Sequence, residues 1–316
     1  MTADPAVAVV IPARDAAGTI RRTLEAVLRQ EVEGGLEVIV VDDGSGDGTA
    51  AAARSVSAEV RVISQPGSGP AGARNLGAAE TSAPVIAFTD ADCFPAPGWL
   101  AAGLEAIAAA DLVQGAVAPD PGAPRHPVDR TLWVVEESGL YETANLFVRR
   151  DAFERLGGFE DWLDPGRGKP LAEDVLFGWR LRRAGGRTRF CAEALVHHAV
   201  FPSSVGARVQ EQLRLRHFPA MAAKVPELRE AMFHRRLFLS RHTARFDLAV
   251  AGAAAAAVWR SPLPLLAAAP YLRSILRDAP GWRSRAPEAV AATVLGDAAG
   301  LLALLAGGVR ARSPVL

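Results

Sequence analysis

Cysteine is nearly missing from this 316-residue chain, which has two, Cys93 and Cys191. They are too few and too far apart for a disulfide framework or a thiolate zinc site, and the count suits a reducing compartment. Net charge is missing too. The 35 Lys and Arg residues balance 35 Asp and Glu, which removes the electrostatic case for a nucleic-acid partner. No basic n-region precedes the first apolar run, 6–11, which stops at Pro12. That run reads as a first strand and not as a signal peptide, so the N-terminal part is expected to work in the cytosol. No stretch reaches about 18 residues without a charge, so no clean membrane-spanning helix is expected.

What is present is an alternation. Strand patterns at 7–11, 36–41, 60–64 and 85–89 alternate with helical spacing at 19–29, 49–57 and 71–80. Apolar strands separated by amphipathic helices imply a mostly parallel sheet flanked by helices, with ligands at the carboxyl ends of the strands. The length suffices for a sizeable core. From 97 to 200 the pattern is less regular. Helices are expected at 99–110 and 173–184, the second closed by Gly185 and Gly186. Strands are expected at 112–118, 144–149 and 188–198, with a Pro/Gly loop at 120–127. The loop 119–143 and the segment 160–171, with Trp162 and Lys169, carry no readable pattern.

Beyond residue 200 arginines interleave with Leu and Phe up to 245. Two Ala/Leu-rich stretches follow, 248–272, broken by Arg260 and three prolines, and 289–309, which contains Asp297. A packed helical appendage is one reading. Membrane-associated helices with arginines on anionic headgroups is the preferred one. The expected organisation is therefore a domain over 1–200, a basic amphipathic segment over 201–245, and an Ala/Leu-rich helical region over 246–316.

Five motifs carry chemistry. Residues 86–92 are an apolar strand ending in Asp90 and Asp92. Carboxylates this close repel unless a cation serves them, and hard oxygen ligands suit Mg2+ or Mn2+ with substrate phosphates. Residues 38–49 place Asp42 and Asp43 after another strand, where a carboxylate could accept a uracil-type imide N–H or bind a ribose hydroxyl. Asp47 or Thr49 there suits a helix cap. Residues 67–72 match the dinucleotide fingerprint, with Asp90 about 20 residues on, which keeps an NAD(P)-binding enzyme open. Arg74 and Asn75 follow on the same helix, and the planar fork of an arginine suits a phosphate or a nucleobase. Glu173 and Asp174 open a helix, either complementing its dipole or offering a general base. His197 and His198 end a strand, so at most one faces a metal.

In order, Val10-Ile-Pro-Ala-Arg-Asp15, Val40-Val-Asp-Asp-Gly-Ser45, Gly72-Ala-Arg-Asn-Leu-Gly77, Thr89-Asp-Ala-Asp92, Gly157-Gly-Phe-Glu160 and Glu173-Asp174 resemble a family 2 glycosyltransferase of the GT-A fold. The resemblance runs from about Val7 to His198. It implies an α/β fold with a Rossmann-like nucleotide-binding half, to which the Ala/Leu-rich stretches add a C-terminal α-helical appendage. It implies inverting transfer from a nucleoside-diphosphate sugar, UDP-type by preference, to an acceptor hydroxyl, which membrane contact by the C-terminal part would make one of a lipid-linked or cell-envelope glycan. By the same resemblance Pro12, Ala13, Arg14, Asp15, Asp42, Asp43, Arg74, Asp90 and Ala91 bind the nucleotide sugar. Asp92 leads a Mn2+ or Mg2+ site with Asp90 and His198. Asp174 is the base, with Glu173 beside it. The chain departs from the family at Arg14-Asp15, where an aromatic-Asn pair is commoner, so stacking of a base on an aromatic is lost there. With membrane contact through the C-terminal helices, the expected location is the cytoplasmic face of the cell membrane. A non-catalytic nucleotide-sugar-binding membrane scaffold is the reading from another class.

Overall fold

The computed structural model describes residues 5–163, 171–278 and 284–316. Lys169 lies outside the described residues. The chain divides into two compact units, 1–123 with 131–199, and 124–130 with 200–316.

The first unit is built on one eight-stranded sheet. Its strands are β1 (Val7–Ala13), β2 (Leu36–Asp42), β3 (Val60–Ser64), β4 (Val85–Thr89), β5 (Cys93–Pro95), β6 (Leu112–Pro119), β7 (Asn145–Arg149) and β8 (Thr188–His198). Their order is β3-β2-β1-β4-β7-β6-β8-β5. The helices are α1 (Ile20–Leu28), α2 (Thr49–Arg54), α3 (Gly69–Ala79), α4 (Trp99–Ile107), α5 (Arg150–Arg155) and α6 (Glu173–Arg183). Strands β1 and β2 are buried on both faces because branched apolar residues fill both sides of the pleat. In α1, Ile20, Thr23, Leu24 and Val27 recur at helical spacing and form its buried stripe.

The first four strands pair in parallel, as their alternation with helices implies. The sheet as a whole is mixed. β7 runs antiparallel to both β4 and β6, and β5 runs antiparallel to β8. β5, with three residues, and α5, with six, are too short for a periodic signal and go unseen in sequence. The antiparallel insertions matter for the chemistry. Asn145 opens β7 opposite Thr89, so the chain entering β7 arrives at the edge where β4 ends in Asp90. β6 and β8 are parallel to each other, with Pro119 opposite His198. The ends of β4, β6 and β8 and the start of β7 thus gather on one edge of the sheet.

In the second unit helices dominate: α7 (Val205–Gln212), α8 (Phe218–Lys224), α9 (Leu228–Ala231), α10 (Arg241–Trp259), α11 (Ala269–Asp278) and α12 (Ala286–Ala311). α10 runs across residue 245. It starts in a capping box of Ser240 and Thr243 and stops at Arg260, whose φ is 50°. Pro262 and Pro264 then admit only a 3-10 turn. α12 differs from expectation. Its 26 residues form one helix that length and composition would allow to cross a membrane, with an 18-residue stretch of mean hydropathy 1.9. Asp297 interrupts its apolar surface and is satisfied inside the unit. One oxygen accepts the Tyr271 hydroxyl at 2.7 Å and meets His242 Nε2 at 2.7 Å. Elsewhere in the unit Val258, Trp259, Leu263 and Leu266 are at least 70% exposed.

Candidate active site

Asp92 follows β4, and β5 begins one residue later. The pairing of β5 with β8 sets Cys93 opposite His198, which carries the histidine to Asp92. His198 Nε2 lies 3.6 Å from Asp92 Oδ2. Its Nδ1 is 2.6 Å from the Ala199 carbonyl, so Nδ1 carries the proton and donates it there. Nε2 then faces a carboxylate oxygen, an arrangement that suits a shared cation. The structure brings His198 rather than His197 to this position. Cys93 completes a cluster whose ligand atoms lie within 4.8 Å of one another. Burial, reinforced by Asp90 and Asp92, pushes its thiol well above the usual range.

Asp90 has a different partner. Arg74, on α3, is 5% exposed. Its guanidinium donates to Asp90 Oδ1 at 2.8 Å and to Glu173 Oε1 at 3.0 Å. The cation that relieves the Asp90–Asp92 repulsion from the Asp90 side is therefore an arginine of the chain itself. The next residue, Asn75, clamps the Gly-Gly-Phe turn. Its Nδ2 donates to the Phe159 carbonyl at 2.8 Å and its Oδ1 accepts the Phe159 N–H at 2.9 Å. Gly158 has a φ of 71°, and a β-carbon there would crowd Asn75 Oδ1 at 2.6 Å. Glycine is required by both tests. Phe159 then packs on Phe88 of β4 and Phe177 of α6, with centroids 5.2 and 5.1 Å away. This aromatic layer ties the Asp90 strand to the helix that carries Glu173 and Asp174.

At the other end of the edge, Asp43 is saturated. Its Oδ1 accepts Gln65 Nε2 and the Ser68 N–H, both at 2.6 Å, and its Oδ2 accepts the Gly69 N–H at 3.0 Å. Arg14 lies 3.8 Å from Oδ2. This overturns the dinucleotide reading of 67–72. The backbone N–H groups that would receive a pyrophosphate are already given to the chain's own carboxylate, and Asp90 is held by Arg74. Asp42 is 6% exposed, and its Oδ1 has no hydrogen-bond partner among the described residues. Asp15, at a φ of 51°, accepts the Gly46 N–H at 2.9 Å and so ties the loop after β1 to the loop after β2. Asp47 does the same by accepting the Ala17 N–H at 2.9 Å, and it also accepts the Thr49 N–H at 3.0 Å. Pro12 and Ala13 are the last residues of β1. The Ala91 carbonyl accepts Thr23 Oγ1 at 2.9 Å.

The carboxylates opening α6 are placed by strained backbone. Ala172, the residue before Glu173, has a φ of 64°, a conformation that costs a non-glycine residue about 1–2 kcal/mol. Burial pushes Glu173 up despite Arg74. Asp174 is raised well above the usual carboxylate range, by burial first and then by Glu173 and Glu142. A carboxylate so raised suits general-base work near neutral pH. Glu142 was not legible in sequence. It stands in the irregular stretch before β7, where no periodicity marks it, and burial raises it as well.

The profile described as Glycosyl transferase family 2 matches residues 8–159. Glycosyltransferase AglE of Haloferax volcanii is 33% identical over 226 residues, covering 67% of this chain and 72% of that protein. The pre-mycofactocin glycosyltransferase of Mycobacterium tuberculosis is 32% identical over 214 residues, 61% of this chain and 42% of its own length. Among solved structures, the mannosyltransferase PcManGT from Pyrobaculum calidifontis, in complex with GDP-Man and Mn2+, aligns with a TM-score of 0.59 at 23% identity, covering 93% of this chain and 87% of that one. The fold is the GT-A fold, and the chain belongs to the family 2 glycosyltransferases.

Proposed function

We propose that this glycosyltransferase is inverting and metal-dependent, and that it moves a sugar from a nucleoside-diphosphate sugar to an acceptor hydroxyl. The observation that carries this is the pair of potential ligand atoms, Asp92 Oδ2 and His198 Nε2, facing each other at the sheet edge. With Asp90 nearby they are the residues that would hold Mn2+ or Mg2+. A bound cation would neutralise the charge that grows on the leaving diphosphate. Arg74 keeps Asp90 and Glu173 fixed on the two sides of the site. Asp42, with an enclosed oxygen still able to accept a hydrogen bond, suits the imide N–H of a uracil base, so a UDP sugar is the favoured donor. Pro12, Ala13, Arg14, Asp15, Asp43 and Ala91 shape the same nucleotide pocket. Asp174 takes the proton of the acceptor hydroxyl, whose oxygen bonds to the anomeric carbon as the bond to the diphosphate oxygen breaks on the opposite face. One displacement inverts that carbon.

Thermal shift with UDP, GDP and dTDP, each with and without Mn2+, tests the donor site. Stabilisation by one nucleotide that needs Mn2+, and that Asp92→Ala abolishes, is expected. Stabilisation that survives chelator would overturn the metal assignment. The second unit supports a membrane setting. Residues 200–316 hold sixteen Lys and Arg against seven Asp and Glu, while the apolar side chains named above stay exposed. This suits an anionic cytoplasmic leaflet and a lipid-linked or envelope glycan acceptor. Flotation with vesicles containing 30% phosphatidylglycerol, as opposed to pure phosphatidylcholine, is the check. Equal absence from both would refute it.

A further inference from the structure

The segment 131–142 links the two ends of the reaction centre. It starts at Thr131, whose Oγ1 lies 3.5 Å from His198 Nδ1. Val134 then exchanges two backbone hydrogen bonds with Val117 of β6, both 2.9 Å. Val134 is buried while Trp133 and Val135 are 55% and 68% exposed, so they share the outer side of this short extended run. The segment ends at Tyr141 and Glu142.

Tyr141 is 1% exposed and has a φ of 55°, which is unusual for an aromatic residue and marks a backbone held by its surroundings. The holder is α6. A β-carbon at Gly178 would run into the Tyr141 ring, so the missing side chain is what lets the ring lie on the helix. Trp179 packs edge-on to the same ring at 6.3 Å. The Glu142 carbonyl is also fixed, by Gln114 Nε2 and the Asn145 N–H, both at 3.2 Å. All this serves to present a carboxylate whose Oε2 is enclosed and has no hydrogen-bond partner among the described residues. That carboxylate is close enough to Asp174 for the two to repel. Enclosing a carboxylate oxygen without a partner there costs stability.

Resting on the proposed reaction, we infer that Glu142 recognises the acceptor. Its Oε2 accepts a hydrogen bond from a sugar hydroxyl next to the one that gives its proton to Asp174. The chemistry also selects the acceptor class. Glu142, Glu173 and Asp174 make this side of the site acidic. The Arg74 guanidinium that meets Glu173 is already shared with Asp90. A phosphate dianion offers Glu142 no hydrogen to accept, whereas a neutral sugar ring can donate to Glu142 and lay its C–H face on an aromatic such as Trp133. The nucleophile is therefore a hydroxyl of a neutral sugar residue, not a lipid phosphate.

The test uses the full chain with Mn2+ and the nucleotide sugar whose nucleotide stabilises it most. Initial rates are measured with a panel of methyl glycosides and, separately, with a polyprenyl monophosphate in detergent. Transfer to at least one glycoside is expected. Glu142→Ala should raise the KM for that glycoside about tenfold and Glu142→Gln about fivefold, with the donor KM within about twofold of the native value. Melting temperatures establish that each variant folds, and the isosteric Gln variant serves if Ala does not. Preferential transfer to polyprenyl phosphate overturns the inference. So does an unmoved glycoside KM, or an equal rise in both KM values. If the native protein shows no metal-dependent donor turnover at all, the proposed reaction fails and this inference falls with it. Normal turnover with an unmoved glycoside KM sinks this inference alone.

Discussion

Arg74 joins the Asp90 strand end to the Glu173 helix through one buried guanidinium, so Arg74→Met should be more damaging than most single changes. The variant keeps the bulk of the stem and removes the charge, leaving Glu173, which is nearly buried, without its counter-ion. Breaking a buried ion pair from one side costs about 3–5 kcal/mol. Asp90 is about one-third exposed and should contribute at the low end, since solvent screens it. With about 2–4 °C lost per kcal/mol, a fall in melting temperature on the order of 10 °C is expected near pH 7.5. Arg74→Lys should recover only part, because an ammonium cannot serve two carboxylates in a fixed fork. The pH dependence gives the sharper reading. Glu173 is raised by burial and lowered by Arg74, so losing Arg74 raises it further. A group that holds its proton more tightly when folded makes stability fall as pH rises from its unfolded value, about 4.3, through its folded one. The gap between variant and native protein should therefore narrow towards pH 4–5. Melting followed by circular dichroism from pH 4.5 to 8 measures it, and Arg74→Met with Glu173→Gln should recover part of the loss at pH 7.5. A pH-independent gap, or one below about 1 kcal/mol, would refute this role for the arginine.

Asp174→Asn should lower kcat by about 100- to 10,000-fold with donor KM little changed; near-native turnover would assign the base elsewhere. In the native enzyme the base is active when deprotonated. The acid limb of kcat/KM should thus sit above the ordinary carboxylate range, because burial, Glu173 and Glu142 raise Asp174. A limb near pH 4 would count against it. Gly178→Ala should displace Tyr141 and cost about 1–3 kcal/mol, read as a lower melting temperature together with a higher acceptor KM; a neutral result would mean the ring has room to move. Asp297→Leu should lower the stability of the second unit by about 1–3 kcal/mol, since Tyr271 and His242 lose a shared acceptor. Hydrogen exchange along α10 and α12 would show this, and unchanged protection there would contradict it.

Much of the fold was legible because parallel strands buried on both faces leave long apolar runs, and their helices leave a 3.6-residue period. From these alone follow the βα alternation and the carboxylates at strand ends, while the ordered motifs were legible as a resemblance to the family. Sequence could not separate residues that share a motif. Asp42 and Asp43 look equivalent, yet the loop 65–69 saturates Asp43 and leaves Asp42 with a free oxygen. Asp90 and Asp92 look like a symmetric pair, yet Arg74 takes one. His198 rather than His197 reaches Asp92 through the register of a three-residue strand too short to predict. Glu142 carries no local signal, because its position depends on a glycine 36 residues later that leaves room for Tyr141. Local periodicity records which face of an element is buried, and that much is determined by the chain itself. Which side chain meets which across the sheet edge depends on long-range register and close packing, and only the tertiary structure decides it.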